Sequence, residues 1–169
     1  MYPNMNKNPA IVCDDPIIET IKQKIQQGID KIKSFVKSKK TKIEQYYELK
    51  EKFLEIATLL EKHDFLSNEF NYFLSIKNKI LYIFRQNALD KSFGHYDFAL
   101  KLFDLFIEIW DAKVQLIQND LNLEEYEAIQ KEFKKKYRKH RSEYLLDIQE
   151  YTQNYPEETI YNIHESLRE

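Results

Sequence analysis

Between Ile17 and Tyr155 the chain contains no proline, and its 169 residues hold only two glycines, Gly28 and Gly94. Sheet-rich folds and open α/β sheets need turn residues about every ten positions, many of them at positive φ. P-loops and dinucleotide-binding fingerprints need clustered glycines where backbone amides approach a phosphate. This chain has neither supply. The fold expected is therefore all-α: an elongated bundle of five to six helices with antiparallel up-down neighbours.

Composition supports a packed core, since 43% of residues are hydrophobic and the aromatics include 12 Tyr, 11 Phe and 1 Trp. Residues 14–169 read as one helical-bundle domain behind a loose N-terminal arm, 1–13, which carries two prolines and three asparagines. The formal net charge of -2 predicts no overall attraction to nucleic acid or to a membrane. Cys13 is the one cysteine, which excludes an internal disulfide framework and a multi-cysteine metal site and points to a reducing, cytoplasmic compartment. No apolar leader precedes it, and Val12 is too large for a lipoprotein cleavage site, so no signal peptide is read. The most apolar stretch, Phe98 to Trp110, carries Lys101, Asp104 and Glu108, which excludes a transmembrane helix of about 20 apolar residues. Residues 16–38 are Ile-rich on one side and Lys-rich on the other, but peripheral membrane contact is not the expectation.

Helix starts are marked by caps. Asp15 and Pro16 open the first helix, with Glu19 in its first turn. Ile18, Ile21, Ile25, Ile32 and Phe35 then form a heptad stripe in which Gly28 fills the vacant seam position. In the same phase the seam continues through Lys39, Lys42, Tyr46, Leu49, Phe53, Ile56, Leu60 and His63. One helix over 16–63 would span about 72 Å at 1.5 Å per residue. The capping box Thr41-Lys42-Ile43-Glu44 argues instead for a break at 38–41 and a second helix from Thr41. A third helix is expected to start at Ser67 or Asn68 and to bury Phe70, Phe73, Leu74, Ile80, Leu81, Phe84 and Ala88, with Lys91-Ser92-Phe93-Gly94 ending it. The fourth, about 95–119, is the central and very apolar element, because 14 of residues 98–117 are Phe, Ala, Leu, Ile, Val or Trp. Asn122-Leu123-Glu124-Glu125 caps a fifth helix running to about 153, with Tyr126, Ile129, Phe133, Tyr137, His140, Tyr144, Ile148 and Tyr151 inward. Asn154-Tyr155-Pro156-Glu157 stops it and begins a short last helix.

Three surfaces compete for function. Residues 31–42 hold six Lys and no acid, and residues 131–141 hold seven Lys or Arg and one Glu. These faces, including Lys37, Lys39, Lys40, Lys134, Lys135, Arg138, Lys139 and Arg141, suit a nucleic acid or other polyanion. Acidic runs at 44–69 and 143–169 stand ready to pair with them, and no recognition motif accompanies them. Phe133 and Tyr137 read as core, not as base-stacking platforms. On the fourth helix Asp104, Glu108 and Asp111 share one face and are the metal candidates. A di-iron bundle would also require Glu-x-x-His on two helices, which the chain lacks, and the wet edge of a buried helix explains the line equally well. No nucleophile sits in a strained glycine-flanked turn. The leading expectation is accordingly a non-enzymatic bundle, without cofactor, acting by protein contact or self-association as an adaptor, inhibitor or small assembly subunit. Tyr46, Tyr47, Phe106 and Trp110 are its contact candidates.

Overall fold

The computed structural model describes residues 16–86, 94–151 and 157–168. The arm 1–13, the Asp15 cap, Ala88, the 91–93 run and the stop at 154–156 lie outside these residues. The described chain is all-α. It comprises α1 (Pro16–Phe35), α2 (Lys42–Glu61), a 3-10 turn (Asp64–Leu66), α3 (Ser67–Arg85), α4 (His95–Ile117), α5 (Leu123–Tyr151) and α6 (Glu157–Ser166). Among the described residues no helix is long and apolar enough to cross a membrane.

The break between α1 and α2 is made without glycine or proline. Thr41 Oγ1 accepts from the Glu44 amide at 3.2 Å, and Glu44 Oε1 accepts from the Thr41 amide at 3.0 Å, a reciprocal capping box. Two orphan amide donors are thereby satisfied, which outweighs the unbroken seam phase. The expected seam holds through Leu49, Phe53, Ile56 and Leu60, which are buried together with Gln45 and Ala57, whereas Lys39 is exposed and Lys42, Tyr46 and His63 are half-buried. Asn122 and Glu125 form a second reciprocal box at 2.8 and 3.0 Å ahead of α5.

α3 starts at Ser67, as expected, but without a side-chain cap, because the 3-10 turn runs into the helix and the Ser67 amide bonds Asp64 O. Its expected end moves. α3 ends at Arg85, and Gly94 stands ahead of α4 with φ 70°, a left-handed backbone that glycine adopts without Cβ strain. At the other end of α4 the left-handed residue is Asn119, φ 65°, one of the few non-glycine residue types whose short polar side chain tolerates that region.

α1 packs against α2 and α4, α2 against α3, and α3 against α4, which closes a ring of four helices. α5 lies on α4, and α6 touches both α3 and α5. All six helices contribute to one apolar cluster. Its centre is aromatic: Phe53 meets Phe73 and Phe103 at ring-centroid distances of 5.8 and 5.4 Å, and Phe73 meets Phe106 at 5.2 Å. Gly28 fills the seam of α1 where an added Cβ would stand 2.9 Å from the tip of the Phe103 ring. Helices α1 and α4 approach closely because this position carries no side chain.

Candidate functional site

Of the four aromatic contact candidates, two are core. Phe106 is fully buried and Trp110 only 2% exposed, because α1, α3 and α5 all pack on α4 and cover every side of it except its narrow polar line. Tyr46 and Tyr47 behave differently. Tyr47 is 61% exposed on α2, its ring set edge-on to that of half-buried Tyr46 at 5.3 Å. Lys50 Nζ and the Arg85 guanidinium each stand 5.9 Å from the Tyr46 ring centroid, within the range of a cation–π attraction. Together with Ile43 these residues border a surface cavity of about 410 Å³.

The same helix face carries two apolar residues that the seam reading passes over, Ile43 at 55% and Leu54 at 64% exposure. Three of the large exposed apolar side chains thus fall on one line of α2. The signal was present in the sequence as a second periodicity, Ile43, Tyr47, Lys50 and Leu54, running beside the buried seam.

The basic faces are partly engaged by acids. Around the α1–α2 turn Lys37, Lys39 and Lys40 are exposed, but Glu48 binds Lys40 at 2.6 Å and Lys31 at 3.1 Å. Those contacts hold the Glu48 carboxyl below its ordinary value, the Lys40 hydrogen bond most of all. On α5, Lys134, Lys135, Arg138 and Lys139 are exposed; Lys135 meets Glu132 at 3.3 Å and Lys136 reaches Glu108 on α4. Arg141 is half-buried, 5.5 Å above the Tyr137 ring, and donates to Leu167 O at 3.5 Å. The two segments are not brought together, since α1 and α5 make no helix–helix contact among the described residues. Phe133, expected in the core, is only half-buried, whereas Tyr137 is buried as expected.

Asp104, Glu108 and Asp111 all lie on the exposed side of α4, and among the described residues no group of three His, Cys, Asp or Glu side chains is placed to hold a metal ion. Partial burial pushes the Asp111 carboxyl up, against the pull of Lys22.

Two buried polar clusters tie helices together. Glu69 is fully buried near the start of α3; Tyr126 of α5 donates to its Oε2, and Lys113 Nζ of α4 lies 3.4 Å from Oε1. Burial, then the Glu69 carboxylate, drives the Tyr126 hydroxyl far above the ordinary tyrosine value. At the N-terminal ends of α2 and α4, Lys42 Nζ meets buried His95 Nε2, and Tyr96 donates to buried Gln45 at 2.9 Å. Each cluster joins separate helices at the cost of desolvating its members, which fixes their relative placement. No family model, curated protein or solved structure matches this chain.

Proposed function

We propose that this protein is a non-enzymatic contact module, an assembly subunit or adaptor, that pairs with a second copy of itself through the outer face of α2. The observation that supports this reading is a spacing. Ile43, Tyr47, Lys50 and Leu54 recur at intervals of four, three and four, so they fall within an arc of roughly 60° at about 3.6 residues per turn. The series is the same in both directions. An antiparallel second α2 therefore sets Leu54 against Ile43 and Lys50 against Tyr47 twice, apolar on apolar and cation on ring. It also pairs opposite ends of the two helix dipoles.

Single exposed apolar residues need no explanation, but an aligned row on one helix is what a partner helix covers. The lysine faces support polyanion binding less well, because Glu48, Glu132 and Glu108 already neutralise part of their charge. Sedimentation equilibrium over a concentration series tests the pairing. Wild type is expected to dimerise, and Tyr47→Glu and Leu54→Glu to be monomeric with unchanged helicity and melting temperature. Leu146→Glu, at an exposed position on α5, should dimerise like wild type. A wild-type monomer at every concentration, or undiminished dimerisation of both α2 variants, would overturn the reading.

A further inference from the structure

Lys50 of α2 and Arg85, the last residue of α3, are cations with no acid in helical reach. Three and four residues from Lys50 stand Tyr46, Tyr47, Phe53 and Leu54, and at the same distances before Arg85 stand Leu81 and Tyr82. Neither therefore has the helical partner that Lys52 finds in Glu55 and Lys101 in Asp97. Both side chains are exposed, and both stand beside one ring, each 5.9 Å from the Tyr46 centroid. The cavity of about 410 Å³ that they border with Ile43, Tyr46 and Tyr47 is lined by no carboxylate of the described residues. Nearby cations are met by acids across helices: Lys31 and Lys40 share Glu48, and Lys24 binds Glu55.

Antiparallel pairing of α2 concentrates this positive charge. A two-fold axis that lays one α2 on the other carries each lateral flank of the helix onto the same flank of the partner. Tyr46 lies off the Ile43–Leu54 row on the flank next to Arg85, so the Lys50 and Arg85 of both copies gather on one side of the interface. Lys50 stands opposite the partner's Tyr47, three residues along, which offsets the two Lys50 positions by about 4.5 Å at 1.5 Å per residue. Like charges this close repel, and an anion held between them offsets the repulsion. We infer that this flank is a polyanion site completed by pairing, which takes a compact oligophosphate between the Lys50 and Arg85 side chains of the two copies and thereby regulates self-association. The inference rests on the α2 pairing proposed above.

Sedimentation equilibrium of the intact protein in tripolyphosphate, against sodium chloride at equal ionic strength, tests this. An anion bound by the dimer alone multiplies the association constant by one plus its concentration over its Kd, so at about ten times that Kd the pairing should tighten about tenfold. Arg85→Gln, outside the α2 row, should pair at least as well as wild type without the anion and lose the tripolyphosphate response, with an unchanged melting temperature. Lys134→Gln/Lys135→Gln, on the exposed face of α5, should keep the full response, which separates the site from a general attraction of anions to lysine. A stronger effect of adenosine triphosphate than of tripolyphosphate assigns a nucleotide, and the reverse order an inorganic oligophosphate; both support the site. Dimerisation that sodium chloride promotes equally, that tripolyphosphate leaves unchanged, or that responds undiminished in Arg85→Gln would overturn the site and leave the pairing standing. A monomer at every concentration, with and without the anion, would overturn the pairing and the site with it.

Discussion

Gly28→Ala pits a local gain against a tertiary clash, and the structure says which wins. In an exposed helix the change stabilises by about 0.5–1 kcal/mol, because glycine loses more backbone entropy on folding. Here the new Cβ would stand 2.9 Å from Phe103 Cζ and 3.6 and 3.7 Å from its Cε atoms. Relief needs a retreat of about half an ångström to reach ordinary contact. The ring has little room to give, since Phe103 is fully buried and Phe53 backs it at 5.4 Å. Overpacking of this kind costs about 1–3 kcal/mol, so the net effect is destabilisation by about 1 kcal/mol, a fivefold shift in the folding equilibrium. Urea unfolding followed by circular dichroism measures it. The decisive control is the same change in a Phe103→Leu background, where the obstructing ring is gone and Gly28→Ala should turn neutral or stabilising. A stabilising Gly28→Ala in wild type, or the same effect in both backgrounds, would refute the close α1–α4 approach.

Three further outcomes follow from single residues. Tyr126→Phe removes the hydroxyl that donates to fully buried Glu69 and should destabilise by about 1.5–3 kcal/mol in thermal unfolding; a loss below about 0.5 kcal/mol would contradict that contact. Glu48→Gln should cost about 0.5–1 kcal/mol at neutral pH, since both ion pairs are partly screened by solvent. The folded-state Glu48 pKa is depressed below the ordinary 4.5, so its contribution is complete above that value and fades as pH falls through the folded pKa. The gap between wild type and Glu48→Gln should close in acid, and a gap that widens there would reverse the sign. Trp110, the one tryptophan and only 2% exposed, should emit at short wavelength and resist iodide quenching until the protein unfolds; ready quenching of the native protein would return it to the surface.

Much of the fold is legible because the breaks are written in side chains. Thr41 with Glu44, and Asn122 with Glu125, are short-range devices whose hydrogen bonds need no knowledge of tertiary structure. The stripe Ile18, Ile21, Ile25, Ile32 and Phe35 is equally local in origin and is buried throughout. Ser67 starts α3 as its sequence position suggests, although the 3-10 turn ahead of it supplies a backbone acceptor and no side-chain cap is needed. Site residues are harder to read, since exposure depends on which helix covers which face. Phe106 and Trp110 have the composition of contact residues, but α4 is covered by three neighbours. Phe133 sits on the inward stripe of α5, yet its ring meets half-buried Tyr72 of α3 and stays half-buried itself. On α2, Ile43, Tyr47 and Leu54 lie off the buried seam and are exposed together.

The pairing of α2 with α2 is tested most directly by site-specific cross-linking. In a Cys13→Ser background, which removes the one native thiol, the Ile43→Cys and Leu54→Cys variants are mixed in equal amounts and oxidised. Antiparallel pairing places position 43 of one copy opposite position 54 of the other, so the mixed disulfide dimer should form in clear excess over either homodimer. Homodimers in equal yield, or monomer alone, would contradict the register and with it the proposal that this helix face is where the protein works.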